Sequence, residues 1–442
     1  MTMDIRKNSN YMILLIGLLS LVQIIFTGIT YDESYYWVYS SFLDFGYYDH
    51  PPMVAISIWL GELFGHGVFF TRIVFTLLML GTIYLMRDMV SPKNRNLFYI
   101  LFFAFPLLIS SGFFALPDTP LLFFSVLFWK KTEDYINDDS LRNVIILGLV
   151  ISALFYSKYH GLLVVLFTVL AHKELVKRKS FYAIIAIVII LYMPHIYWQY
   201  KHDFVSFKFH LTGRREKHFD IQNMVNYLLG IAFVCGFFTF PILLKNAWKN
   251  KTNKIYFYNS IGFFAFVFLM SFRNAIELNW IVTACAAFLI LALKESIEKK
   301  KAIYITLIPS LIIVSTFRLI LIYDFGLSEK VDRLNEIHGW QKRFAEFYSL
   351  DSEPHIVFDN YQYGARFSYY KNYIYPVKHL RSRESHYSIL NLTKKYGIKD
   401  NDSITFVGTK NTFDSYRIET NYKDPIYFKD KTTLEDIETT YE

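Results

Sequence analysis

The chain has 442 residues, of which 53% are hydrophobic and 19% aromatic, and it carries a formal net charge of +8. Soluble domains reach only about 45–50% apolar residues even when glycine is counted, so this composition excludes an ordinary soluble protein and predicts a polytopic membrane protein. Its two cysteines, Cys235 and Cys285, lie in apolar runs, which excludes a disulfide framework and a metal site built from cysteines. Basic cytoplasmic loops account for much of the positive charge, and no nucleic-acid partner is predicted.

Apolar runs that are long enough, or nearly long enough, to cross a bilayer recur along the chain. Because lipid cannot satisfy backbone polar groups, each run is expected to be helical. The first follows a short basic patch, Arg6 and Lys7, and no small-residue cleavage site comes after it, so we expect an uncleaved first span. About eleven spans are predicted, at residues 11–29, 67–86, 97–115, 119–130, 142–156, 159–171, 181–199, 224–244, 255–272, 279–293 and 302–323.

Lysine and arginine are concentrated in alternate loops between these spans. Loops rich in these residues stay in the cytoplasm, so the N-terminus is predicted to be cytoplasmic and the chain after the last span to lie outside. The basic segments are the N-terminus and the loops near residues 87–95, 130–142, 173–179, 245–254 and 294–301.

The last part of the chain changes character. HIVFD, YIYPV and SITFVG are short β-branched runs typical of strands, and YQYGARFSYYKN between the first two is typical of a helix. The sequence therefore predicts an all-α transmembrane domain over residues 1–323, with an outside first loop at 30–66. A small α/β domain is predicted to follow, outside the membrane, over residues 324–442.

Residues 31–52, YDESYYWVYSSFLDFGYYDHPP, follow the first span directly and combine acidic with aromatic side chains. Paired carboxylates at a membrane boundary suit general-base catalysis or metal ligation, and the rings suit contact with a lipid or a sugar. The alternative is an acidic outside loop with an interfacial aromatic belt. The candidate residues of this stretch are Asp32, Glu33, Tyr35, Tyr36, Asp44, Tyr48, Asp49 and His50.

Two further outside turns carry unusual polar residues. PDTP contains Asp118, which could be a functional carboxylate or simply a helix cap or turn residue. SKYHG places Lys158, Tyr159 and His160 in a very short link between two apolar runs. A charge at that depth costs roughly 2.5–3.5 kcal/mol on insertion scales, so Lys158 is expected to have a partner.

The fourth outside loop breaks the charge pattern, because it contains the basic residues Arg214, Arg215 and Lys217. Long loops can cross the membrane whatever their charge; alternatively, this cluster grips an anionic group such as a lipid phosphate. The fifth outside turn, ELNW, contributes Glu277 and Trp280. Glu277 could be a functional carboxylate, a helix cap or a solvated end.

All these polar stretches fall on the same predicted side of the membrane, although they were not used to set the topology. Carboxylates, a lysine near the membrane, an arginine cluster and aromatic rings together suit displacement at a sugar carbon whose leaving group is a lipid phosphate. A carboxylate would take the proton from the acceptor hydroxyl, and cations would stabilise the departing phosphate.

The order of DE after the first span, then YYDHPP, PDTP, SKYHG and ELNW, resembles the bacterial dolichyl-phosphate-mannose-protein mannosyltransferase-like glycosyltransferases. These belong to the GT-C superfamily, which includes the lipid A aminoarabinose transferase. The resemblance extends into the tail, through Gly339–Trp340 and DNYQYGARFSYY.

The resemblance implies a polyprenyl-phosphate sugar donor, an acceptor that is a lipid, a glycan or a protein, and a catalytic face outside the bacterial cytoplasmic membrane. It makes Asp32 the catalytic base with Glu33 beside it and Asp118 the second acidic position. Lys158 and His160 would lie near the donor phosphate, while the role of Glu277 is left open because many relatives have HW there. Some superfamily members use a divalent cation and others none; the carboxylates are compatible with a cation but do not demand one.

A transporter or flippase of a lipid-linked glycan is the alternative. Transporters carry ionisable groups at mid-membrane, whereas here the predicted spans are nearly free of charge at their centres. A glycan-binding or scaffold protein that has lost catalysis is a weaker alternative, opposed by the intact DE pair and Lys158. The sequence therefore favours a membrane glycosyltransferase that inverts the anomeric carbon.

Overall fold

The computed structural model describes residues 2–212, 219–273, 275–297, 299–328, 330–338, 340, 356–379, 383–408 and 427–434. The chain divides into two compact units. The first comprises residues 1–26, 44–46 and 50–322, and the second comprises residues 27–43, 47–49 and 323–442.

The first unit is helical in its regular structure. Its described α-helices are Thr2–Phe26, Met53–Glu62, Val68–Met86, Arg95–Ala104, Pro106–Ser110, Asp118–Asn137, Leu141–Ser157, Gly161–Ala171, Lys179–Lys201, Val205–Thr212, Ile221–Val234, Phe240–Lys249, Lys254–Phe257, Phe263–Ser271, Val282–Leu293, Lys300–Thr306 and Ile308–Ile322. Short 3₁₀ segments lie at Pro92–Asn94, Lys173–Lys177 and Leu278–Ile281, and a π-helical turn at Tyr258–Gly262.

Every predicted span overlaps one of these helices or two or more consecutive ones, although residues 27–29 and 111–115 lie outside them. Within the described residues, four helices are long and apolar enough to cross a membrane: Val68–Met86, Lys179–Lys201, Lys254–Ser271 and Lys300–Ile322. A fifth is added if Asn10–Phe26 and Tyr31–Ser40 count as one broken span. The membrane class agrees with the sequence, while the count of eleven spans and their orientation stay predictions.

Two predicted spans are interrupted. Residues 97–115 form two helices because Pro106 cannot donate the hydrogen bond that would continue the first one. Residues 224–244 also form two helices, Ile221–Val234 and Phe240–Lys249, separated by a turn in which Gly236 adopts a φ of 81°. Such a φ favours glycine, so this residue allows the chain to turn between two apolar segments.

The second unit combines short helices with a small sheet. The strands are β1 (Ile356–Phe358), β2 (Ile404–Gly408) and β3 (Tyr427–Thr432), in the order β1-β2-β3. β1 and β2 run parallel, and β3 runs antiparallel to β2. The described helices are Tyr31–Ser40, Asp332–Asn335, Tyr361–Lys371, His386–Leu390 and Leu392–Lys395.

These elements correspond closely to the patterns in the sequence of the tail. HIVFD and SITFVG contain β1 and β2, and YQYGARFSYYKN contains the Tyr361–Lys371 helix. YIYPV, predicted as a strand, forms only an isolated bridge between Val377 and Phe358. Pro376 has no N–H to donate to a ladder, so pairing does not extend along this segment.

Candidate active site

A buried ion pair joins two of the predicted motifs in the first unit. Nζ of Lys158, from SKYHG, donates a 2.7 Å hydrogen bond to Oδ1 of Asp118, from PDTP. The exposed fractions of the two side chains are only 5% and 9%. Nδ2 of Asn279, from ELNW, donates to the other carboxylate oxygen of Asp118 at 3.2 Å. Three motifs that are distant in the sequence therefore meet at one carboxylate.

Local structure explains how these residues are presented. Asp118 lies in the first turn of the Asp118–Asn137 helix, where the helix dipole favours a negative charge. Pro117 occupies the N-cap and makes no side-chain cap bond, so Asp118 is not the N-cap residue of this helix, and its role as a functional carboxylate stays a prediction. Lys158 has an extended backbone at the end of the Leu141–Ser157 helix. At Gly161 of the same motif, a Cβ would lie 2.9 Å from the carbonyl oxygen of Leu154, which explains a glycine in this tight link.

His160 and Trp280 also lie together in the first unit, with ring centroids 5.5 Å apart. The Glu277 side chain is exposed and makes no cap bond to the Leu278–Ile281 turn. Glu277 occupies the N-cap position of this turn without a side-chain cap bond, and its function stays a prediction. Asn279 was inside a recognised motif, but its contact with Asp118 could not be predicted because nothing in the sequence indicates which side chain of ELNW faces inward.

Tyr159 takes part in a chain of hydrogen bonds. Nδ1 of His195 donates to the carbonyl of Phe45 at 2.7 Å, so in the neutral ring Nε2 can accept from the Tyr159 hydroxyl at 3.2 Å. Nε2 of Gln199 donates to the same hydroxyl at 3.0 Å and to Oγ of Ser206 at 2.7 Å. These bonds fix the direction of the Tyr159 ring.

The Tyr159 ring lines an apolar cavity of about 600 Å³. Tyr159 and His210 bring polar atoms to its wall, and their ring centroids are 5.3 Å apart. The His50 ring lies 6.2 Å from that of His210. The remaining lining residues are Phe155, Leu162, Val188, Ile189, Tyr192, Met193, Ile196, Phe207 and Leu211. The size is within the usual range for a ligand site, and the lining suits a hydrocarbon chain.

The DE pair lies in the second unit, at the start of the Tyr31–Ser40 helix. Thr30 and Glu33 form a reciprocal capping box: the Glu33 N–H donates to Oγ1 of Thr30 at 3.2 Å, and the Thr30 N–H donates to Oε2 of Glu33 at 3.0 Å. Glu33 is buried, whereas Asp32 is exposed. The two adjacent carboxylates therefore have different environments.

Asp49, from YYDHPP, is buried in the second unit, and both of its carboxylate oxygens accept hydrogen bonds. Its Oδ1 accepts from the hydroxyl of Tyr39, and its Oδ2 accepts from Nη2 of Arg383 at 3.4 Å. Nη2 of Arg383 also donates to the Tyr361 hydroxyl at 3.1 Å. Sequence reasoning missed Arg383, because RSRES gives no pattern that separates it from neighbouring basic residues.

Burial raises the pKa of Tyr361 to about 12; the Arg383 charge opposes this rise and the Asp32 charge adds to it. Tyr361 therefore stays protonated at neutral pH. Its hydroxyl accepts from Arg383 and lies within the electrostatic reach of Asp32. The Tyr361 hydroxyl therefore contacts the cation and is influenced by the charge of the exposed carboxylate.

The other predicted tyrosines of the first loop pack in the same unit. The Tyr35 hydroxyl accepts from the His386 N–H at 2.7 Å, and the Tyr36 ring centroid lies 5.9 Å from that of Tyr35. The Tyr48 hydroxyl donates to Oε2 of Glu384 at 3.5 Å. Tyr35 and Tyr36 are buried, whereas Tyr48 is half-buried. The prediction that a ring of this loop contacts a sugar or a lipid therefore fits Tyr48 better than Tyr35 or Tyr36.

Some predicted site residues cannot be placed. Arg214, Arg215 and Lys217 lie outside the described residues. Among the residues that the structure describes, no group of three or more His, Cys, Asp or Glu side chains is arranged to hold a metal ion.

Part of this chain is similar in sequence to known proteins. Residues 49–198 match the sequence model of the dolichyl-phosphate-mannose-protein mannosyltransferase family. The lipid A galacturonosyltransferase RgtD of Rhizobium johnstonii is 26% identical over 182 residues, which cover 39% of this chain and 38% of that relative. The chain thus aligns with well under half the length of this curated relative.

Solved structures share the fold over nearly the whole chain. ArnT from Cupriavidus metallidurans in the apo state gives a TM-score of 0.64 at 12% identity, covering 95% of this chain and 96% of ArnT. ArnT from the same organism bound to undecaprenyl phosphate gives a TM-score of 0.65 at 13% identity, covering 95% of this chain and 97% of ArnT. The resemblance to dolichyl-phosphate-mannose-protein mannosyltransferase-like proteins that the motifs indicated is therefore confirmed over residues 49–198, and the chain shares the fold of ArnT over nearly its whole length.

Proposed function

We propose that this protein is an integral membrane glycosyltransferase that moves a sugar from a polyprenyl-phosphate donor to an acceptor outside the cytoplasmic membrane. The observation that carries the proposal is the difference between the two carboxylates of the DE pair. Glu33 is buried in a capping box, whereas Asp32 is exposed in the same helical turn. A general base must reach its substrate, and this arrangement supports Asp32 in that role.

In the proposed reaction an acceptor hydroxyl attacks the anomeric carbon of the donor and its proton passes to Asp32. The bond between that carbon and the phosphate oxygen breaks, and polyprenyl phosphate leaves with the bonding electrons, so the anomeric carbon is inverted. The leaving phosphate needs cations or hydrogen-bond donors where its charge develops. Arg214, Arg215 and Lys217 are proposed for this task, together with Lys158, His160 and the donors around Tyr159.

The ion pair that Lys158 forms affects how it can stabilise the leaving phosphate. Its ammonium group is hydrogen bonded to Asp118, so this pair is nearly neutral as a unit. We propose that Asp118 positions Lys158 and reduces the cost of burying its charge, and that Lys158 contributes to the phosphate site from this paired state. Asp118 then acts as the second acidic residue without removing a proton itself.

The apolar cavity beside Tyr159 supports a lipid-linked donor. A polyprenyl chain is a branched hydrocarbon, and a cavity of about 600 Å³ with mostly aliphatic and aromatic walls would remove part of it from water or lipid. The name of one relative, a lipid A galacturonosyltransferase, favours a lipid A-type glycolipid as the acceptor. Protons and charges balance in the proposed reaction without a cofactor. The need for a divalent cation is tested by comparing transfer with and without EDTA.

The experiment is transfer by the purified protein in detergent with added lipid. Donors would be a panel of undecaprenyl-phosphate sugars, the acceptor a lipid A-containing extract, and each reaction would run with and without EDTA. Acceptor mass increased by one sugar, with stoichiometric release of undecaprenyl phosphate, is the predicted result. Movement of a donor lipid across vesicles with no new glycosidic product would instead support the flippase alternative.

A further inference from the structure

The helix that carries Asp32 is assembled with residues from the far end of the sequence. Residues 27–43 belong to the same compact unit as residues 323–442. The N–H of Tyr31 donates to Oε1 of Glu336 at 2.8 Å. A Cβ on Gly28 would lie 2.1 Å from the carbonyl oxygen of Ile337, so the two backbones approach too closely there for any other residue without a shift.

Arg366 makes several of the contacts between the start of this helix and the C-terminal part of the chain. It lies on the Tyr361–Lys371 helix, and its side chain is 0% exposed. One Nη2 hydrogen bond goes to the carbonyl of Ile29, the residue before the N-cap Thr30. Its guanidinium carbon lies 4.6 Å from the ring centroids of both Tyr31 and Trp340. The cation is therefore fixed between two rings and bound to the backbone that leads into the helix.

Burying the Arg366 side chain in this arrangement costs stability. Within the described part of the chain, Nε and Nη1 of Arg366 are buried with no hydrogen-bond partner. A buried polar group without a partner is costly, so these two groups lower the stability of the fold. Burial lowers the pKa of Arg366, and the nearby Tyr370, Tyr31, Glu336 and Glu33 oppose this change.

We propose that Arg366 is a positioning residue that holds the first turn of the Tyr31–Ser40 helix, and with it Asp32, in the orientation needed for base catalysis. The inference rests on the proposed function for its catalytic part. Ile29 and Tyr31 flank the N-cap, so fixing both sets the direction in which the next residue, Asp32, leaves the backbone. Residues 323–442 of the second unit then take part in catalysis, because they include the residue that orients the base.

The test compares Arg366→Met, which keeps most of the volume but removes the cation, with Arg366→Lys, which keeps the charge. Lys371→Met is the matched control, because it removes a cation that lies 5.9 Å from the Phe367 ring centroid on the same helix. A misplaced catalytic group can cost about 10²-fold in rate, so kcat of Arg366→Met should fall by roughly that factor. The donor KM should change little, and Arg366→Lys should recover part of kcat.

Hydrogen exchange supplies a readout that does not depend on activity. Arg366→Met should speed exchange at the amides of Tyr31, Glu33 and Ser34, while the amides of β2 keep their protection. Equal loss of protection in β2 would mean that Arg366 serves only general stability, and unchanged kcat despite faster exchange at Tyr31 would mean that it does not position the base. Either result overturns the inference. If the wild type transfers no sugar from any donor, the proposed function fails instead, and the exchange pattern alone decides whether Arg366 holds the helix.

Discussion

Lys158 donates a 2.7 Å hydrogen bond to Asp118, and both side chains are buried. Removing one member of a buried ion pair leaves an uncompensated charge and costs about 3–5 kcal/mol, whereas removing both often costs much less. We therefore expect Lys158→Met to destabilise the protein by that order. Asp118→Asn with Lys158→Met should recover most of the loss, as measured by chemical denaturation in detergent. A loss of stability in the double variant equal to the sum of the losses in Lys158→Met and in Asp118→Asn would show that the pair is not coupled.

The capping box separates the two carboxylates of the DE pair. Glu33→Gln preserves an oxygen that can accept from the Thr30 N–H, so transfer activity should remain within a few-fold of wild type. Thr30→Ala removes the cap oxygen and should lower the free energy of unfolding by about 1 kcal/mol. Activity and denaturation measured on the same preparations check both. Complete loss of transfer in Glu33→Gln, with unchanged stability, would assign chemistry to Glu33.

His379 predicts a pH dependence of stability. Burial lowers its pKa to about 4; the Asp359 charge opposes this shift and the Arg383 charge adds to it. Because the unfolded chain binds this proton near pH 6.5 and the folded chain only near pH 4, the unfolded state holds more protons between these values. The stability from the neutral ring is thus complete above about pH 6.5 and is lost as the pH falls towards 4, by at most about 3 kcal/mol.

The Ser385 hydroxyl lies 2.9 Å from Nε2 of His379, and neutral His379 can accept its proton. His379→Gln keeps a polar side chain that does not titrate. Its unfolding free energy should therefore change less between pH 7 and pH 4 than that of the wild type. Identical pH profiles for the two proteins would show that folding does not lower the pKa of His379.

The cavity beside Tyr159 predicts selectivity for chain length. Met193→Trp places a larger side chain in the wall of the 600 Å³ cavity, so KM should rise for a donor with a long polyprenyl chain and change less for a short one. Leu18→Trp is the matched control, because it fills a second apolar cavity of about 470 Å³. Donor titrations with two chain lengths check this. Equal effects of the two substitutions would remove the reason to place the donor chain beside Tyr159.

Helix positions could be predicted from the sequence because apolar length is a local property. Every predicted span overlaps a helix over most of its length, and the tail patterns identified β1, β2 and the Tyr361–Lys371 helix. The breaks at Pro106 and Gly236 were missed because the apolar runs continue across them. The Met53–Glu62 helix was missed because its short run was assigned to the loop that follows YYDHPP.

The motifs identified which segments carry chemistry, but not which atoms meet. Asp118 and Lys158 were both selected, yet their ion pair depends on how two helices pack, which local patterns do not contain. Arg366 lies within the recognised stretch DNYQYGARFSYY and Arg383 within RSRES, but neither side chain could be singled out, because their contacts with residues 27–43 and 47–49 join distant parts of the sequence. Glu33 could have been recognised as a cap, since Thr30 and Glu33 have the spacing of a capping box.

The central claim is that Asp32 removes the acceptor proton. The most direct measurement is the rate of polyprenyl phosphate release by wild type, Asp32→Asn and Glu33→Gln, with the donor that the wild type uses and a lipid A-type acceptor. The account predicts that Asp32→Asn loses at least about 10²-fold in kcat, as expected when a general base is removed. It also predicts an unchanged unfolding midpoint and near-normal release by Glu33→Gln. Near-normal release by Asp32→Asn would contradict the account.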